Sequence, residues 1–231
     1  MKRKKILLLI GALILLTPFS IKIYRTIKMN NLIEAELNAP HWKERYQLFE
    51  NENAPKNGIV FLGNSLTELF AFDSVAGEKI INRGISGDFT FGVLKRLPQV
   101  VKLQPRKIFL EIGINDLIER VDGNTILDNI ENILDSLQSS LANSKIYLCS
   151  LTPTILPDGV LRNSAEQNQE IVEQNIKLKL LAQRKRIPFI NLHALFVFNK
   201  KLKPEFSTDG IHLTEAAYKL WVKEIETFIR N

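Results

Sequence analysis

Short apolar runs alternate with longer amphipathic stretches through residues 57–231, and that alternation leaves few folds open. The apolar runs fall at 59–62, 79–82, 107–112, 145–151 and 188–192, and the amphipathic stretches at 66–76, 89–103, 125–142, 164–185 and 214–229. A short apolar run ended by Gly, Pro or Asn reads as a fully buried strand, whereas a longer mixed stretch reads as a helix. Strand–helix alternation predicts an α/β fold in which a parallel five-stranded sheet is covered by helices on both faces, a three-layer α/β/α sandwich. Sites in such sheets lie beyond the carboxyl ends of the strands.

The chain has 231 residues, enough for one sizeable α/β core and short for two. No internal repeat of fixed period and no low-complexity tract interrupts it. The formal charge of +6 is unevenly placed. Lys2, Arg3, Lys4, Lys5, Lys22, Arg25 and Lys28 lie in the first 28 residues, which hold no acid; removing them from the 31 basic residues leaves 24 against 25 acids. The body is thus close to neutral, which argues against nucleic acid as a partner, since that would call for a basic patch on the folded domain. Cys149, the sole cysteine, falls in an apolar run, reads as a small buried hydrophobe and excludes an intrachain disulfide.

The N-terminus divides from the rest by composition. Four basic residues precede an apolar run from Ile6 that continues through Ile21. At about 16 residues the run is short of the roughly 20 that a spanning helix needs, although Ile23 and Tyr24 extend it and Lys22 can snorkel. No small-x-small cleavage site and no lipoprotein cysteine follow. Residues 1–28 therefore read as an uncleaved signal anchor in preference to a cleaved signal peptide, with an exported body in the cell envelope; cleavage would make the body secreted or periplasmic. Residues 29–56 form a polar, helix-prone connector in which His41, Trp42, Tyr46, Leu48 and Phe49 are expected to pack back on the body at 57–231.

Polar residues gather where the strands are expected to end. Gly63-Asn64-Ser65 follows the first, Arg83-Gly84-Ile85-Ser86-Gly87-Asp88 the second, Gly113-Ile114-Asn115-Asp116 the third and Thr152-Pro153-Thr154 the fourth; Ser207-Thr208-Asp209-Gly210-Ile211-His212 precedes the last helix. Ser65, at a strand-to-helix turn, is a candidate nucleophile, but a serine hydroxyl needs a positioned base. Of the three histidines, His212 stands three residues after Asp209, so one carboxylate can reach the near ring nitrogen and leave the far one to face Ser65. His193, after the fifth strand, and His41, in the connector, are the rivals. An oxyanion needs aimed donors. Gly87 can bring a backbone N–H close, Asn115 can offer its side-chain amide, and the N–H of Ser65 is a third. The plainer readings are a tight turn for Gly87, a helix cap or Asx turn for Asn115-Asp116, and a turn residue for Asp209. Ser86 is a rival nucleophile, set aside as a loop residue.

Thr67 stands where the nucleophile elbow of α/β-hydrolases needs its second glycine. His-Glu-x-x-His, Cys-x-x-Cys and the phosphate-binding Gly-x-x-x-x-Gly-Lys-Ser/Thr are all missing, so metal and nucleotide chemistry have no motif. With these segments placed, residues 57–230 resemble the SGNH hydrolases, also called the GDSL esterase/lipase family. Gly63-Asn64-Ser65-Leu66 is similar to its first block, Asn82-Arg83-Gly84-Ile85-Ser86-Gly87-Asp88 to its second, Gly113-Ile114-Asn115-Asp116 to its third and Asp209-Gly210-Ile211-His212 to its last. Asn64 departs from the aspartate of the family name at a position that is not the nucleophile.

The resemblance implies a flavodoxin-like fold and no metal or organic cofactor. It implies catalysis by Ser65, Asp209 and His212, with Ser65, Gly87 and Asn115 around the oxyanion. The branch that includes platelet-activating-factor acetylhydrolase-like and sialate O-acetylesterase-like proteins is the most similar, which points to short acyl groups on a carbohydrate or lipid. A lysophospholipase or thioesterase for longer chains, and an envelope protein that binds acylated glycan without turnover, are the alternatives. Loops 153–163 and 199–206 carry no readable motif, and neither the substrate nor the oligomeric state is legible.

Overall fold

The structure, a computed structural model, describes residues 20, 23–156 and 164–231. The expected signal segment lies outside the described residues as far as position 19, as does loop 157–163. Among the described residues no helix is long and apolar enough to cross a membrane.

The five expected parallel strands are present as β1 (Ile59–Gly63), β3 (Glu78–Gly84), β4 (Lys107–Glu111), β5 (Lys145–Cys149) and β6 (Phe189–Ile190). They lie in the order β3-β1-β4-β5-β6, the doubly wound arrangement of flavodoxin-like sheets. A short antiparallel strand, β2 (Ser74–Val75), extends the edge beside β3. The side chains alternate with the period-two pleat. Val60, Leu62, Ile108, Leu110, Ile146 and Leu148 enter a core with α4 (Thr90–Lys102), α6 (Gly123–Ser140) and α7 (Ser164–Lys185). Ile59, Phe61, Phe109, Tyr147 and Cys149 enter a second core with α9 (Glu215–Arg230). Both sheet faces are thereby covered, which is why the strand sequences read as continuous apolar runs.

The second expected strand-to-helix unit differs from its sequence reading. A helix was expected over 66–76, but α3 (Ser65–Glu68) makes barely one turn. Asn82 on β3 ends it: its amide donates to the carbonyls of Thr67 at 2.6 Å and Phe70 at 3.3 Å, taking acceptors that a continuing helix would need. The freed segment lays Phe70 and Val75 into the α9-side core. Three further short elements carry no sequence signal: α5 (Ile114–Ile118), α8 (Leu192–Phe196), and the hairpin of β7 (Val197–Phe198) and β8 (Lys201–Leu202).

The connector folds onto the body as two helices. Residues 23–38 form α1, which runs through position 28, and α2 spans Pro40–Asn51. Trp42 and Phe49 are buried as expected, whereas Leu48 is half exposed. Phe49 lies against three guanidinium groups, with Arg83 and Arg45 at 4.6 and 4.7 Å from its ring centre and Arg96 at 6.0 Å.

Candidate active site

The carboxyl edge of the sheet collects the polar segments, as α/β topology requires. Ser65 opens α3 directly after β1, and its turn is fixed by Asn64, whose side-chain oxygen accepts from the Leu66 N–H at 2.9 Å. Gly84 lets the turn pack closely. A Cβ there would stand 2.1 Å from the Glu68 nitrogen.

Ser65 is nearly buried, and its Oγ lies 3.0 Å from Nε2 of His212. Nδ1 of the same ring lies 2.5 Å from Oδ2 of Asp209. The other Asp209 oxygen accepts from the backbone N–H groups of His212 at 2.8 Å and Ile211 at 3.0 Å. Burial works to raise the Asp209 carboxyl, but these hydrogen bonds outweigh it and hold the group down at about 2. With Asp209 ionised, the Nδ1 atom carries the ring proton and Nε2 is left as an acceptor toward the serine. The loop is closed on itself: Ser207 Oγ donates to the His212 carbonyl and accepts from the Gly210 N–H. Its Gly210 carbonyl also accepts from the Ile155 N–H at 2.7 Å, docking it on the segment after β5.

Gly87 is exposed and has φ +85°, a left-handed conformation that suits glycine. Asn115, on α5, donates from Nδ2 to the Asp88 carbonyl at 2.9 Å, so one amide hydrogen is committed to the Gly87 loop. Neighbouring Asp116 serves that loop as well, accepting from the Thr90 hydroxyl at 2.6 Å and the Thr90 N–H. Burial, against those hydrogen bonds, pushes its carboxyl up to about 6.

Beneath the site lies a buried ion pair that sequence reading missed. Arg96 Nε donates to Asp88 Oδ2 at 2.8 Å, with both side chains fully buried. Arg96 also donates to the Gly63 carbonyl at 2.9 Å, and Trp42 Nε1 donates to Asp88 Oδ1 at 3.0 Å. The strand end before Ser65, the Gly87 loop, α4 and α2 are thus joined through the side chains of Arg96, Asp88 and Trp42. Glu68 adds a second tie, accepting from the Ser86 N–H and from His41 Nε2 at 3.0 Å.

The rival residues sit differently. His193 lies on α8, its backbone N–H donating to Ser150 Oγ, and burial lowers its ring pKa. His41 faces Glu68 and Ser86 lies in the Gly87 loop. Among the described residues no group of three or more His, Cys, Asp or Glu side chains could hold a metal ion.

Comparison with known proteins bears on the same residues. N-acylneuraminate cytidylyltransferase of Streptococcus agalactiae is 26% identical over 202 residues, covering 84% of this chain but 45% of that protein, so the chain spans about half the length of this relative. A solved structure from Streptococcus pneumoniae named for platelet activating factor superposes with a TM-score of 0.71 at 25% identity, covering 90% of this chain and 99% of the other. An acetyl-xylooligosaccharide esterase from Geobacillus superposes with a TM-score of 0.60 at 16% identity over 77% of this chain and 94% of its own, a likeness of fold. The family model for GDSL-like lipases and acylhydrolases matches residues 56–220. That match takes in Ser65, Gly87, Asn115, Asp209 and His212, and the chain belongs to the GDSL-like lipase/acylhydrolase family of ester-cleaving hydrolases.

Proposed function

We propose that the protein is a serine esterase that removes short acyl groups, acetyl foremost, from a carbohydrate ester through an acyl-enzyme on Ser65. The observation that carries this reading is the unbroken line from Ser65 Oγ through the His212 ring to Asp209, at 3.0 and 2.5 Å. Nε2 of His212 takes the hydroxyl proton as Oγ attacks the ester carbonyl, and Asp209 stabilises the imidazolium that results. The N–H groups of Ser65 and Gly87 and the uncommitted amide hydrogen of Asn115 receive the oxyanion. His212 then gives its proton to the departing alcohol. Water, deprotonated by the same nitrogen, attacks the acyl-enzyme, and the carboxylic acid leaves as Ser65 regains its proton. Acetyl is favoured because a structural neighbour is named as an acetyl-xylooligosaccharide esterase. The apolar N-terminal segment, in this reading, tethers an exported catalytic domain to the membrane.

The test uses the full chain with p-nitrophenyl acetate and octanoate. Ser65→Ala is expected to abolish turnover of both and to prevent labelling by a fluorophosphonate, with the wild-type enzyme preferring acetate. Undiminished turnover in Ser65→Ala would remove the mechanism, and a preference for octanoate would remove the acyl assignment.

A further inference from the structure

Glu36 approaches the proposed oxyanion site from outside the part of the chain that the family model matches. It lies near the end of α1, and both of its carboxyl oxygens are 3.8 Å from the point that a Cβ on Gly87 would occupy. Gly87 is itself exposed, so the carboxyl borders the open side of the loop that carries the proposed oxyanion donor. The helix holding it is fastened to the body. Lys28 Nζ donates to the Glu119 carbonyl at 2.7 Å, Met29 and Leu32 pack on the α4–α6–α7 core, and Leu37 packs against the cluster around Trp42.

The carboxyl has no hydrogen-bond or ion-pair partner among the described residues. Burial pushes its pKa up to about 8, and the negative charges of Asp88 and Asp116 add to the shift. A half-buried carboxyl with free hydrogen-bonding positions is costly unless something else satisfies it. A ligand anion here would be opposed by the same through-space negative charges that raise Glu36, whereas a neutral hydroxyl can both donate to and accept from Glu36.

We propose that Glu36 is a specificity-determining residue, contributed by the connector, that hydrogen-bonds a hydroxyl of a neutral sugar next to the scissile ester. The inference rests on the esterase reading above and deepens it, favouring polyhydroxyl esters over anionic ones such as phospholipids. A hydroxyl bonded to Glu36 lies on the substrate, so its loss is felt by sugar esters and not equally by simple aryl esters.

The experiment measures kcat/KM of the full chain for a monoacetylated methyl glucoside and for p-nitrophenyl acetate. Glu36→Leu is expected to lower the sugar-to-aryl ratio about tenfold, mainly through KM, as the loss of one net hydrogen bond implies. Glu36→Gln, which keeps the hydrogen-bonding shape, is expected to restore most of the ratio. Glu36→Lys supplies a soluble second probe and is expected to raise p-nitrophenyl hemisuccinate turnover at least fivefold relative to acetate. An unchanged ratio in all three variants, or an equal fall on both esters, overturns the role of Glu36. Wild-type turnover that survives Ser65→Ala instead overturns the esterase reading itself, so the two failures are told apart.

Discussion

Glu111 offers a sharp quantitative test of the core beneath the site. It ends β4, opposite Gly63 of β1, and is 1% exposed with neither carboxyl oxygen hydrogen-bonded among the described residues. Burial pushes its pKa from an ordinary 4.5 up to about 8. The sign of the linkage follows from proton counts. Below pH 4.5 the folded and unfolded chains both hold the proton; between 4.5 and about 8 only the folded chain does, so stability falls as pH rises; above 8 the contribution is flat. The slope is about 1.4 kcal/mol per pH unit, and the whole window amounts to roughly 4–5 kcal/mol, comparable to the total stability of many domains. The assay is urea unfolding of wild type and Glu111→Gln at pH 5, 6, 7 and 8. Glutamine keeps the shape and removes the titration, while Asp116, Glu36 and the other groups titrate alike in both proteins. The stability difference is expected to grow in favour of Glu111→Gln by about 3–4 kcal/mol in all from pH 5 to 8, most steeply between 6 and 7 and easing toward 8. Parallel pH profiles would refute the reasoning, because they would require a Glu111 that ionises as easily folded as unfolded.

Asp209→Asn is expected to lower kcat about 10⁴-fold by losing the His212 tautomer, with a modest fall in thermal stability, since Asp209 is exposed and asparagine keeps an acceptor for the Ile211 and His212 N–H groups; kcat and Tm measured together check this. Gly84→Ala places a Cβ 2.1 Å from the Glu68 nitrogen and 2.5 Å from its Cα, so backbone must move. A loss of about 1–3 kcal/mol or more in denaturant titration, with reduced turnover as the Ser65 turn shifts, is the expected outcome. Arg96→Met strips the buried Asp88 of its cation and is expected to cost about 3–5 kcal/mol, read from the urea midpoint.

The strands and the order of the site segments were legible because each depends on local pattern. Residues 59–62 or 107–112 read as strands from apolar content alone, and the expected helix over 164–185 coincides with α7. What failed depended on contacts across the chain. The helix after Ser65 stops at Glu68 because Asn82 takes its carbonyls, and nothing near Glu68 announces that. Arg96 hides for a related reason. In an amphipathic helix a charge ordinarily marks the solvent face, so residue type assigns Arg96 outward, although its spacing from Val93, Leu97 and Val100 sets it on the buried face, where Asp88 pairs with it. Asp88 itself was visible in its motif without a role, since its partners lie on α4 and α2. The connector's apolar residues announced burial for Trp42 and Phe49 but misplaced Leu48, which stands half exposed beside Phe49 in the chain.

The connector ties into the same polar network that places the segments of the candidate site. Asp88 takes one hydrogen bond from Arg96 of α4 and one from Trp42 of α2, and its carbonyl accepts from Asn115. Arg45 of α2 donates to the Gly84 carbonyl and lies 3.4 Å from Glu68, which in turn holds the Ser86 N–H. Gln99 of α4 donates to the Tyr46 carbonyl, and Arg83 pairs with Glu52 just past α2 at 2.9 Å. The contacts of Trp42, Arg45, Tyr46 and Glu52 link residues 40–52 to the backbone around Gly84–Asp88 or to the groups that brace it. Some of the network's buried atoms, among them Arg96 Nη1 and Arg83 Nε, have no hydrogen-bond partner among the described residues, so withdrawing a further member is costly. The connector is therefore a physical part of the site's frame. A membrane tether attached to α1, as proposed, would pull on the helix that carries Glu36 and not on a free linker.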